Sequence, residues 1–108
     1  MNHLAAYIKE REGFDSIVTE EGFASYLITG DECYIKDIFV YPDYRKKHIG
    51  AQIADDIARI AKAQGCKFLT GSVSTSAKDA TTSTKVLIAY GFRVFAAVQG
   101  GIYFRKDL

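Results

Sequence analysis

The chain has 108 residues, a formal net charge of +1, 48% hydrophobic residues and 25% charged ones. That length suits a single domain, 1–108, with a modest core. Balanced charge argues against a broad nucleic-acid-binding face but leaves room for a local anion site. No apolar run approaches a membrane span and no signal-peptide pattern opens the chain, so a cytoplasmic protein with no membrane partner is expected. Cys33 and Cys66 stand apart, without CxxC or metal-ligand spacing, and read as reduced, buried thiols rather than a metal site.

Residues 3–12 carry Leu4 and Ile8 on one helical face and end in good helix formers before Gly13. Segments 14–19 and 23–29 are β-branched and aromatic and flank the turn Glu20-Glu21-Gly22. Gly30-Asp31 makes a second turn into a strand at 33–41, so the three strands predict an antiparallel meander. The period then changes. Ile49, Ile53, Ile57 and Ile60 recur at helical spacing with Ala54, Ala58 and Ala61, the polar residues take the other side, and Gly65 supplies the stop.

Residues 67–74 return to strand chemistry, which predicts a crossover and a parallel pairing with the strand at 33–41. The polar stretch 74–84 predicts a loop leading into a weak helix that ends near Gly91. A last hairpin, 92–98 and 102–105, turns at Gln99-Gly100-Gly101. The fold class is α/β: a mixed, mostly antiparallel sheet with one parallel crossover pair and flanking helices.

The turn Arg45-Lys46-Lys47-His48-Ile49-Gly50 sits between an apolar strand and the start of the amphipathic helix. First-turn amides have no partners inside a helix, and the helix dipole adds positive potential there, so a basic turn opening a helix is an anion cradle. Its place at the carboxyl end of a strand that begins a parallel crossover is where ligands of α/β sheets gather. Three cations beside those amides suggest more than one phosphate.

With that order of elements, residues 33–108 resemble the GNAT superfamily of acyl-CoA N-acyltransferases. Val40, Pro42, Tyr44, Arg45, Ile49 and Gly50 fall on the family's strand, turn, Arg-x-x-Gly-x-Gly/Ala and helix pattern. Tyr90-Gly91-Phe92 is similar to its late Gly-Phe pair, and YIKDIFV looks like the strand of polyamine-type acetyltransferases. The resemblance implies an acetyl-CoA site. Amides of residues 46–51 would hold the pyrophosphate, covering Lys46, Lys47, His48, Ile49, Gly50 and Ala51. Ile38, Phe39 and Val40 would pair with the pantetheine amides as an added strand, and Arg45, Lys46 and Lys47 would add charge.

Two positions depart from the pattern. His48 stands where the family usually has glycine, a residue that lets backbone approach phosphate at positive φ. Leu87 stands where it often has the tyrosine that protonates the leaving thiolate; Tyr90, nearly one turn later, is the substitute candidate. Only residues 1–13 precede the meander, so the acceptor pocket is either open or closed by a second subunit, and exposed strand edges fit a homodimer.

Acyl transfer to an amine needs a deprotonated amine, donors for the oxyanion and a departing thiolate. Asp37, inside an otherwise apolar strand, is the candidate base or acceptor-orienting group; pairing with Lys36 is the competing role. Simple alternation puts Asp37 with Ile35 and Phe39, and Lys36 with Ile38 and Tyr34. Ser72, Ser74 and Thr75 end the strand after the crossover, near the expected thiol. Two functions follow: an N-acetyltransferase acting on an amine of a small molecule or protein, or a catalytically weak module that binds CoA or a partner protein.

Overall fold

The computed structural model describes residues 3–108. Helix α1 (His3–Glu12) leads into β1 (Asp15–Val18), β2 (Gly22–Thr29) and β3 (Glu32–Val40). A short 3-10 turn at Pro42–Tyr44 precedes α2 (Ile49–Ala63); β4 (Phe68–Ser74), α3 (Ala80–Tyr90), β5 (Arg93–Val98) and β6 (Gly101–Asp107) follow. The strands make one six-stranded sheet in the order β1-β2-β3-β4-β6-β5. β3 and β4 run parallel, and every other neighbouring pair is antiparallel.

The meander and the crossover stand as the sequence predicts, and the first four strands agree with it to within one residue at each end. Two boundaries differ. β6 extends to Asp107 because it pairs with the whole of β4, from Phe68 opposite Asp107 to Ser74 opposite Gly101. α3 begins at Ala80, inside the stretch expected as loop. Its threonines and serine are poor helix formers, and packing of Ala80, Leu87 and Tyr90 against the core overrides that weak propensity.

The core lies between α2 and one face of the sheet. Ile49, Ile53, Ala54, Ile57 and Ala61 are buried along one side of α2, as their spacing requires. They meet Ala24 and Tyr26 of β2, Cys33 of β3, Leu69 and Val73 of β4, and Phe104 of β6. Ile57, Leu69 and Phe104 are wholly inaccessible, and burying each such side chain contributes about 1.5–3 kcal/mol. α2 stops at Gly65: the Cys66 amide donates to the Ala61 carbonyl at 2.9 Å and the Gly65 amide to Lys62 at 3.1 Å. α3 stops likewise at Gly91, whose φ of 116° suits glycine.

Both cysteines are free and buried. Burial pushes the Cys33 thiol up to about 12, with smaller contributions from Cys66, Glu32 and Asp15. The Cys66 thiol is raised by burial and then by Asp31.

One sequence expectation is overturned inside β3. Asp37 lies opposite Ser25, yet Ile35 lies opposite Tyr26, which leaves Lys36 as the extra residue of a β-bulge. Cross-strand partners share a face. Ile35 and Ile38 therefore both lie on the α2 side with Tyr26 and Ala24, while Asp37 and Phe39 lie on the opposite face with Ser25 and Phe23. Uninterrupted alternation had grouped Asp37 with Ile35; a single inserted residue reverses that assignment.

Candidate active site

β3 and β4 pair only where Glu32–Tyr34 meets Phe68–Thr70. Beyond that point they part, because β3 is bent by its bulge while β4 continues along β6. The β3 edge from Ile35 to Val40 is left without a strand partner on the β4 side. A cleft of about 1480 Å³ opens there, bordered by that edge, the start of α2, Gly71–Ser74 of β4 and one side of α3. Its closed end is laced by side chains: the Tyr34 hydroxyl and Ser72 Oγ are 2.9 Å apart, and Thr70 donates to Glu32 at 2.5 Å.

The start of α2 is bare. His48 occupies the N-cap position with φ 61° and ψ 19°, and no side chain caps the helix. The Gln52 amide donates to the His48 carbonyl at 3.1 Å. The amides of Ile49, Gly50 and Ala51 take no intramolecular acceptor among the described residues, and all three residues border the cleft. A side chain at Gly50 would meet Val40 and Ile38 at 3.8 and 4.0 Å, filling the space between helix and strand edge. Lys46 shares the left-handed conformation, with φ 64°. Left-handed backbone costs about 1–2 kcal/mol at a residue with a Cβ, so the turn holds strain at the mouth of the cleft.

The cations of the turn divide. Arg45, Lys46 and His48 border the cleft. Arg45 Nε donates to the Val40 carbonyl at 2.9 Å, and its guanidinium lies 5.4 Å from the Phe39 ring. The Lys47 ammonium lies over Tyr44, 5.9 Å from the ring centre, and Lys47 does not border the cleft.

Asp37 borders the cleft from the face opposite α2, exposed, with Ser25 Oγ donating to it at 3.4 Å. Lys36 pairs elsewhere: its ammonium meets Glu12 of α1 and lies 5.1 Å from the Phe14 ring. The Glu12 hydrogen bond is the chief cause that raises the Lys36 pKa, and the Asp37 charge adds to it more weakly. Asp37 forms no ion pair among the described residues. Phe23, Phe39 and Tyr41 stand beside it as an aromatic row, with successive ring centres 5.7 Å apart.

Tyr90 also borders the cleft, but its hydroxyl donates to Asp55 of α2 at 2.5 Å. Burial first, then the bond to Asp55 and its charge, pushes this phenol well above the usual tyrosine range, which holds its proton in place. Leu87 lies over Gly71, 3.8 Å from where a Cβ would project. Ser72 and Ser74 border the cleft and Thr75 does not. Asp55, Gly71 and Ile35 were not singled out from the sequence. Asp55 read as one more polar residue on the solvated side of α2, and the bulge that turns Ile35 and Ile38 to one side has no local signature.

Residues 3–82 match the acetyltransferase (GNAT) family. The chain belongs to that family. A curated relative, the thialysine N-epsilon-acetyltransferase of Sus scrofa, is 34% identical over 79 residues, covering 73% of this chain and 45% of the relative. The chain thus spans less than half the length of that protein. The solved PaiA N-acetyltransferase of Thermoplasma acidophilum, in complex with coenzyme A, superposes with a TM-score of 0.76 at 16% identity, covering 94% of this chain and 66% of that one. A GNAT family acetyltransferase from Elizabethkingia anophelis with acetyl-CoA bound gives a TM-score of 0.73 at 18% identity, covering 95% and 82%. At such identities these structures establish a shared fold. Among the described residues no helix is long and apolar enough to cross a membrane.

Proposed function

We propose that the chain is an N-acetyltransferase that moves an acetyl group from acetyl-CoA to an amine of a small molecule or a protein. The observation that carries this reading is the uncapped start of α2, with three free amides opening on a cleft beside Arg45, Lys46 and His48. A diphosphate is the group that such amides and cations suit. The unpartnered β3 edge supports the second half of the assignment: Ile38, Phe39 and Val40 offer it to an extended amide-bearing chain. Together these features fit coenzyme A, which would supply the acyl group as a thioester when bound.

The remaining roles follow from placement. Asp37, reached from the face opposite α2, receives the acceptor's ammonium and passes its proton to water. The amine nitrogen then bonds to the acyl carbon and releases its surplus proton to water as the carbon–sulfur bond breaks. Backbone amides of the unpartnered β3 edge would serve as donors for the oxyanion. Leu87 brings no hydroxyl to the leaving sulfur and the Tyr90 proton is engaged by Asp55, so water in the open cleft protonates the thiolate. Lys47 acts on the diphosphate at longer range, through charge.

Isothermal titration with acetyl-CoA and with CoA, followed by thiol release over a panel of polyamines, thialysine and peptide N-termini, tests this. Binding with thiol release on at least one amine is expected. Absence of binding at ~1 mM, an affinity weaker than about −4 kcal/mol, sinks the assignment. A second reading, a module that binds CoA or a partner protein without turnover, draws on Leu87 in place of a hydroxyl and on His48 held at φ 61°; binding without thiol release favours it.

A further inference from the structure

The sheet is two half-sheets joined by a short seam. β1, β2 and β3 form one half and β4, β6 and β5 the other; α2 packs across both, while α3 lies against β4. Between the halves the strands share only the Glu32–Tyr34 and Phe68–Thr70 pairing. On the face opposite α2, Tyr34–Ser72 and Thr70–Glu32 reinforce that seam. On the α2 face, the bond from the Tyr90 hydroxyl to Asp55, across 35 residues of chain, is the side-chain hydrogen bond that ties α3 to α2 among the described residues.

α3 has little else to hold it. None of its residues is fully buried. Val86 and Ile88 are 63% and 55% exposed. Its inward contacts are Ala80, Leu87 over Gly71, and Tyr90, whose ring centre lies 6.0 Å from that of Phe92. Helix α3 forms one wall of the cleft and α2 the other, so whatever spans them sets the width between them.

We infer that the Tyr90–Asp55 hydrogen bond is a brace that fixes the width of the cleft, and that both residues are positioning residues for the acyl donor, not groups that exchange protons with it. The inference rests on the reading of this cleft as the donor site. A phenol committed to a carboxylate at 2.5 Å is a poor proton source for a sulfur elsewhere, and a good strut. Asp55 supplies the acceptor from α2, whose own packing is firm.

The experiment compares Tyr90→Phe, Asp55→Ala, Asp55→Asn and the double variant Tyr90→Phe/Asp55→Ala in two measurements. Hydrogen–deuterium exchange of residues 83–90 in the free protein reads the brace alone. Titration with CoA, and turnover with acetyl-CoA and thialysine, read its effect on the donor. Loss of one charge-assisted bond predicts exchange about 10-fold faster in Tyr90→Phe and in Asp55→Ala alike. The double variant is expected to add nothing further, and Asp55→Asn, which keeps an acceptor oxygen, to recover most of the protection. CoA affinity and the KM for acetyl-CoA weaken in parallel, by about 3-fold to 10-fold, with kcat nearly unchanged.

Exchange in α3 that neither single substitution alters overturns the brace, whether or not the protein binds CoA. Turnover lost in Tyr90→Phe but kept in Asp55→Ala, with CoA affinity intact in both, overturns it in favour of proton donation by Tyr90. Faster exchange in a protein that binds no CoA in any form overturns the donor-positioning role together with the proposed function.

Discussion

Helices α2 and α3 wall the same cleft and are held there in different ways. α2 buries an unbroken stripe of isoleucines and alanines against four strands, and its start carries the free amides and the cations. α3 buries no residue fully, leaves two aliphatic side chains in solvent, and is fastened at its end through a tyrosine hydroxyl. An anion site needs amides that stay put, because a charge-assisted bond weakens steeply with misplacement. In the proposed function the firm helix carries that site. The wall that only has to enclose the ligand can be weakly packed, and it can move when a single bond is removed.

The largest test of this contrast is in the core. Ile57→Ala, beneath α2, is expected to cost about 2–5 kcal/mol through lost burial and the cavity left behind. Ile88→Ala, on the exposed side of α3, is expected to stay within about 0.5 kcal/mol. Urea unfolding of both variants measures the difference, and equal midpoints would dissolve the distinction between the two helices.

Charge reversal at the cleft mouth comes next. Arg45→Glu with Lys46→Glu is expected to weaken CoA binding by about 100-fold, from two lost charge-assisted contacts. Lys85→Glu on α3 is the control and is expected to change affinity by less than about 2-fold, as an exposed charge does. Titration at low and high salt checks this, since added salt should narrow the gap.

The thiols under α2 sharpen the comparison through pH. Folding raises the Cys33 pKa from 9.0 to about 12, so above pH 9 the folded chain holds a proton that the unfolded chain releases. Stability is therefore full below pH 9 and falls as pH rises toward 12. Cys66, also raised, acts in the same direction. Denaturation midpoints from pH 8 to 11 measure the slope, and both thiols should resist a thiol reagent until the core opens.

The smallest effect concerns the strained turn. His48→Gly removes the Cβ from a left-handed position, at φ 61°. It is expected to stabilise the protein by up to about 1 kcal/mol, with the added freedom of the unfolded glycine setting the limit. CoA affinity should rise slightly or hold. A marked loss of affinity would mean that the imidazole itself contacts the phosphate.

The order of elements, the buried stripe of α2, the helix stops at Gly65 and Gly91 and the basic turn at 45–50 were all legible in the sequence. Each is written in residues within a few positions of one another, and periodicity and turn chemistry are local properties. The resemblance that led to the family rested on the same local order. Four features of the site were decided by tertiary structure alone: the bulge at Lys36 that puts Asp37 on the face opposite Ile35, the pairing of Lys36 with Glu12, the parting of β3 from β4, and the bond from Tyr90 to Asp55. Each depends on which residue of a distant segment lies opposite. Strand register has no local signature, yet a slip of one residue changes the side to which every following side chain points.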